Sequence, residues 1–452
     1  MRFLRSLLAT TALASTAHAQ DVPARLDSAM TALQKEGFSG VVRVERDGAV
    51  LLEKGYGLAD RSTGRAMTPS TVVQIGSNTK DFTAVAILQL KDRGLLALND
   101  PLSKFFRGVP PDKKDITIQQ LLDHSAGFPE YAGGDYDAVT RPQLVDSMLR
   151  TPLRFAPGSR SAYSNPGFSI LAAIIENLTG KTYDAYVRDA ILAPLGLKRT
   201  GFLFPNFASD EMAHGYFVTG KDNGTMLSRP HAADGPYWNL RGNGGMLSTV
   251  DDMHAFYAEL FEGEKLLRAE TRNLRFDPRQ PIGLAGSDGI DFFLYERDPI
   301  AHTEIIIAEN NPSVRPARIR GAIGGILGLP SPDTDGPEEK RDGGHAAPAE
   351  VLKAVTDLVA ALNSADDAKI AALIRNHFAV EPDAPPVAVR TERFKSLHER
   401  FGDFVVTSVQ AFDSGPVDVH VSGKGGDATL KVQVDLKAPW KIHGIQLLAG
   451  GG

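Results

Sequence analysis

The spacing of apolar positions changes character several times along the chain. Val22, Leu26, Met30 and Leu33 recur every three to four residues, so 21–37 is predicted as an amphipathic helix. Two β-rich runs follow at 38–46 and 49–57, joined at Asp47-Gly48, a pair suited to the positive φ angles of a hairpin turn. Leu58 to Val73 is rich in turn residues. Phe82, Val85, Ala86, Leu88 and Leu90 then mark a buried or half-buried helix that Gly94 ends. Next come a short helix ending at Gly127, an amphipathic helix near 143–150, and an apolar helix from Ser169 to Leu178 stopped by Gly180. A further helix is capped by Ser248 or Thr249. Residues 281–329 read as sheet, with strands at 281–290, 291–295 and 303–309.

Pro330 to Ala349 is rich in proline, glycine and charge and reads as a linker. Beyond it Val351, Val355, Leu358 and Leu362, then Ile370, Leu373 and Phe378, keep helical spacing. A helix at 392–401 leads into four alternating strands between 404 and 448. The pattern is that of a separate α+β unit with helices over one face of an antiparallel sheet. At 452 residues the chain has room for more than one core. The expected division is 1–19 as a leader, 20–329 as the main domain, 330–349 as a linker and 350–452 as a C-terminal accessory domain.

Composition narrows the function classes. Arg2 and Arg5, the apolar run 7–14 and Ala17-His18-Ala19 form the three parts of a secretory signal peptide, so a secreted or periplasmic protein is expected, with no integral membrane segment after cleavage. The chain has no cysteine, which excludes disulfides and thiolate metal sites, and its eleven histidines show no metal-ligand clustering. No metal and no cofactor are therefore expected. A net charge of −6 without basic runs argues against nucleic acid, and no phosphate-cradling glycine motif occurs.

The candidate chemistry begins at Ser77. Ser77 and Lys80 are three apart at the start of the 82–90 helix, so hydroxyl and amine can meet across one turn. Unpaired N–H groups at a helix start stabilise a developing oxyanion. Tyr163 and Asn165 lie two apart on a segment read as loop or extended, where both can face one side; a phenol can relay protons and an amide can hold a carbonyl. His124 and Ser125, in the turn 123–128, read as structural.

Taken in order, these stretches resemble motifs of the serine β-lactamase and penicillin-binding-protein superfamily, on its class C β-lactamase, D,D-peptidase and esterase side. Ile75-Gly76-Ser77-Asn78-Thr79-Lys80 is similar to the Ser-x-x-Lys motif, Leu121 to Gly127 to Leu-Leu-x-His-x-Ser-Gly, Tyr163-Ser164-Asn165 to Tyr-x-Asn, and Gly244 to Asp252 to the Gly-Gly-to-helix segment. The resemblance implies an α/β sandwich with a five-stranded antiparallel sheet flanked by helices. It also implies a serine hydrolase in which Ser77 is acylated, Lys80 and Tyr163 form the base, and Asn165 holds a small-molecule or peptide substrate. Backbone N–H groups of Ser77 and Ser287, beside Gly286, would form the oxyanion hole.

One departure bears on substrate. Where the family has Lys-Thr-Gly or His-x-Gly, this chain has Leu284-Ala285-Gly286. The cation and hydroxyl that bind substrate carboxylates there are gone, which points to neutral esters or amides, with Arg279 or Arg241 as candidate replacements. The lost cation would also make Lys80 harder to deprotonate. The alternatives are a binding protein without turnover, or a true β-lactamase or D,D-carboxypeptidase.

Overall fold

The computed structural model describes residues 22–203, 206–217, 220–330 and, in pieces, 345–449. The expected leader and most of the expected linker lie outside the described residues. Two compact units divide the chain. One comprises Ser39–Gly215 and Gly224–Asn310, and the other the described residues within Met1–Phe38, Tyr216–Asn223 and Asn311–Gly452.

In the first unit, strands β1 (Gly40–Arg46), β2 (Ala49–Tyr56), β3 (Ile282–Ser287), β4 (Phe292–Asp298) and β5 (Thr303–Glu309) form one sheet in the order β2-β1-β5-β4-β3, every pair antiparallel. The hairpin turn between β1 and β2 is as the residues demand, with Asp47 at φ 52° and Gly48 at 74°. Val41, Ile306, Ala308, Phe293 and Tyr295 carry one face of this sheet into a large core to which three long helices contribute, among others. These are α2 (Thr79–Asp92), α3 (Asn165–Thr179) and α4 (Val250–Glu262); α1 is the helix at 22–35 of the other unit. Helix α2 is buried almost along its whole length, which is why its apolar residues run all round rather than in a stripe. The fold is the α/β sandwich expected from the motifs.

Three local readings are corrected. Ser77 does not lie in the first turn of α2 but in a 3₁₀ turn, Gly76–Asn78, that leads into it. Helix α3 starts at Asn165, not Ser169: the Ser164 hydroxyl accepts the Gly167 N–H as its cap and Pro166 occupies the first turn, where a missing N–H costs nothing. Asn165 is therefore helical rather than in a loop. Finally, 281–329 is not all sheet, because Pro316–Leu327 is helix α5. Its three glycines lower helix propensity, but Ile319, Ile323 and Leu327 bury one face, Pro316 opens the helix and Gly328 at φ 68° closes it.

In the second unit α6 (Ala349–Ser364), α7 (Asp367–His377) and α8 (Val387–Phe401) precede a meander of β6 (Val405–Ala411), β7 (Val417–Gly423), β8 (Gly426–Val434) and β9 (Ile442–Ala449). Val417, Val419, Val421, Leu430 and Val432 share a core with Val355, Leu358, Leu362, Ile370 and Ile374 of the helices. These helices and the antiparallel meander are the element types read from the sequence for this stretch. His345–Ala346, within the stretch read as linker, pairs with β6 at the sheet edge.

Candidate active site

Edge strand β3 and the 3₁₀ turn approach each other at van der Waals limits, and two glycines permit it. A β-carbon on Gly286 would lie 2.1 Å from the Ile75 carbonyl oxygen and 2.5 Å from the Ser77 nitrogen; one on Gly76, at φ 50°, would lie 2.6 Å from the Ser287 nitrogen. The backbone nitrogens of Ser77 and Ser287 are thereby brought to the same gap. The Ser287 hydroxyl is engaged in its own turn, donating to the Asp291 carbonyl and accepting the Gly289 N–H, so what Ser287 offers the gap is backbone. The turn is pinned from the other side, where Ile75 N–H donates to the Met246 carbonyl and the Thr79 hydroxyl accepts the Met246 N–H.

Ser77 Oγ lies 3.0 Å from Lys80 Nζ and 2.6 Å from the Tyr163 hydroxyl. Lys80 also donates to Asn165 Oδ1 at 2.8 Å and to the Asn243 carbonyl at 2.7 Å. The geometry suits both protonation states. An ammonium uses three N–H groups; a neutral amine keeps two for the fixed carbonyl oxygens and turns its lone pair to Ser77. Asn165 Nδ2 is left over, facing no hydrogen-bond partner among the described residues. The Asn243 carbonyl is delivered by the turn at Gly242, whose φ of 80° and contacts with Ala172 and Phe168 exclude a side chain. Asn243 itself is fixed by Nδ2 donating to Ser169 Oγ and the Asn239 carbonyl.

Electrostatics separate the two candidate bases. Burial lowers the Lys80 amine to about 7, with Asp81 and Asp135 pulling the other way. Burial pushes the Tyr163 phenol up to about 12, opposed by its hydrogen bond to Ser77. Lys80 is thus the group that can be neutral near pH 7, while Tyr163 keeps its proton. The lost third-motif cation does not stop this, because burial is the larger effect. Behind Lys80, Asp81 is buried and held up to about 6 by desolvation while accepting from Tyr257, whose hydroxyl accepts from Asn78. Asn78 also donates to the Leu284 carbonyl, tying the edge strand to the turn.

Of the two candidate replacement cations, only Arg241 is shut away from solvent. Arg241 is buried against Asp234, Asp184 and Glu176, and Arg279 is paired with Asp277. Leu284 packs against the core. Among the described residues, Glu45, His254 and Glu304 bring three possible metal-ligand atoms together, but the Arg43 guanidinium bonds to both glutamates there. His124, read as structural, proves to touch the site: its ring lies 4.6 Å from the Tyr163 ring. The signal available in the sequence was its place in the turn motif, which names no contact.

A five-stranded antiparallel sheet with a Ser-x-x-Lys turn held against its edge strand defines the β-lactamase and penicillin-binding-protein class of fold. The Beta-lactamase family model matches residues 26–298, and the chain belongs to that family. PbpX of Bacillus subtilis, which carries a penicillin-binding-protein name, is 30% identical over 262 residues. That stretch is 58% of this chain and 63% of PbpX, so the chain spans less than two thirds of that relative. An octameric penicillin-binding-protein homologue from Pyrococcus abyssi superposes with a TM-score of 0.58 at 22% identity, over 91% of this chain and 90% of that one. EstCE1, described as a hydrolase with promiscuous acyltransferase activity, superposes with a TM-score of 0.57 at 21% identity, over 68% and 98%.

Proposed function

We propose that the chain is an exported serine hydrolase that acts through an acyl-enzyme on Ser77, with neutral esters or amides as substrates. The observation that carries this reading is the placement of Ser77 Oγ within hydrogen-bond reach of both Lys80 and Tyr163. In acylation the Ser77 O–H bond breaks as the oxygen bonds to the substrate carbonyl carbon, and its proton passes to the neutral Lys80 amine. The N–H groups of Ser77 and Ser287 receive the oxyanion, a contribution of about 10²- to 10³-fold per donor. Asn165 Nδ2 donates to a substrate carbonyl. As the bond to the leaving group breaks, Tyr163 hands it a proton and is reprotonated from Lys80. Water then attacks the acyl carbon, gives a proton to Lys80, and the Ser77–acyl bond breaks as that proton returns to Ser77 Oγ.

The substrate class follows from Leu284. A charge-assisted hydrogen bond to a substrate carboxylate contributes about 1.5–3 kcal/mol, and Leu284 supplies none at the third motif. A short-chain nitrophenyl ester is therefore expected to exceed nitrocefin in kcat/KM by at least about tenfold. Equal rates on the two would overturn the preference. The same lost cation favours a second reading, a binding protein without turnover; absence of any acyl-enzyme mass shift across esters, peptides and β-lactams would establish it. Export rests on the leader pattern of residues 1–19, and detection of the protein with its leader intact in the cytoplasm would refute it.

A further inference from the structure

His124 brackets the residue that carries the phenol. Its carbonyl accepts the Ala162 N–H at 2.9 Å, and its Nδ1 accepts the Ser164 N–H at 3.2 Å, so the residues on either side of Tyr163 are both fastened to it. Its ring packs against Tyr163 and, at 5.1 Å, against Phe168 of α3. His124 holds this position at φ 57°, a left-handed conformation uncommon in residues other than glycine. Tyr163 lies outside any helix or strand, so little else in its own segment selects its rotamer.

We propose that His124 is a positioning residue for the reaction at Ser77, setting the place of the Tyr163 hydroxyl through the flanking backbone and the face of the phenol ring. The inference rests on the reading of Ser77, Lys80 and Tyr163 as the catalytic set. Because Nδ1 accepts a backbone N–H, the ring proton belongs on Nε2, and a second proton would turn the acceptor into a donor facing another donor. Burial, then Lys80 and Arg275, holds the imidazole down to about 4, which keeps it an acceptor near neutral pH. Misplacing a reacting group by about 1 Å costs on the order of 10²-fold in rate.

The test is a double-mutant cycle on a short-chain nitrophenyl ester in the full chain. Glycine adopts the left-handed conformation without strain, so His124→Gly removes ring and acceptor without straining the turn. It is expected to lower kcat by about 10- to 100-fold with KM within about threefold. His124→Asn, which tolerates the same φ and restores an acceptor, is expected to recover at least about threefold. In a Tyr163→Phe background His124→Gly should cost less than about threefold, because the hydroxyl it places is absent. An equal cost in both backgrounds, or an unchanged kcat in His124→Gly, would overturn the inference. Should His124→Gly fail to fold, His124→Asn, which still lacks the ring, takes its place with a smaller expected loss of about 3- to 30-fold, and a loss equal in the wild-type and Tyr163→Phe backgrounds would overturn the inference. A Tyr163→Phe variant as active as wild type would instead overturn the reading of the catalytic set.

Discussion

Lys80→Ala is expected to lower kcat toward a short-chain ester by about 10²- to 10⁴-fold, the range that a positioned general base contributes. Near pH 7 roughly half of the Lys80 amines carry no proton, because burial brings the amine down to about 7; at its ordinary value of 10.5 only about one in three thousand would be free. Protonated Lys80 cannot accept from Ser77, so kcat/KM of the wild type rises with pH through a limb near 7. The residual activity of Lys80→Ala should lack that limb. The sign of the stability effect is opposite to that of the usual paired lysine. The unfolded chain binds the Lys80 proton up to its ordinary value while the folded one releases it near 7, so wild-type stability rises with pH between those points. Lys80→Met should remove that rise as well as the activity, and denaturant unfolding at pH 7 and pH 9.5 reads it directly. A pH-independent wild-type rate between 5 and 9 would count against Lys80 as the base.

Gly286→Ala should be nearly as damaging although it alters no polar group. A single β-carbon there meets the Ile75 carbonyl at 2.1 Å, the Ser77 nitrogen at 2.5 Å and Asn78 Oδ1 at 2.7 Å. Two of these are backbone atoms that cannot rotate away, so β3 must retreat from the turn and carry the Ser287 N–H with it. Loss of one oxyanion donor lowers kcat by about 10²- to 10³-fold, and unfolding should shift by about 1–3 kcal/mol for the overpacking. The control lies three residues earlier on the same strand. A β-carbon on Gly283 meets nothing within 4 Å, so Gly283→Ala should stay within about 0.5 kcal/mol of wild type with full activity. Comparable losses in both variants would show that the strand, not the approach, is what matters.

How far the site could be read from residues depends on what kind of group does the work. Side-chain chemistry was legible: Ser77 and Lys80 are three apart, Tyr163 and Asn165 two apart, and the structure brings all four together. Chemistry done by backbone was not. The Asn243 carbonyl that holds Lys80 leaves no mark beyond the glycines around it, and it takes the structure to show that Gly242 and Gly245 have no room for a β-carbon. That His124 reaches Tyr163 was not legible either, because its contacts form with residues some forty positions away, where turn geometry says nothing. At the fold level the β1–β2 hairpin and α2 were plain from turn chemistry and apolar spacing. Helix α5 was hidden by Gly321, Gly324 and Gly325, whose low helix propensity masks the buried stripe of Ile319, Ile323 and Leu327.

The central claim is that the Ser77 oxygen is activated. Treatment of the purified chain with a fluorophosphonate probe, followed by mass spectrometry of its peptides, tests it most directly. A single adduct on the peptide containing Ser77, absent from Ser77→Ala and slowed in Lys80→Ala, is the predicted result. No adduct on the wild type, or labelling that persists unchanged in Ser77→Ala, would contradict it.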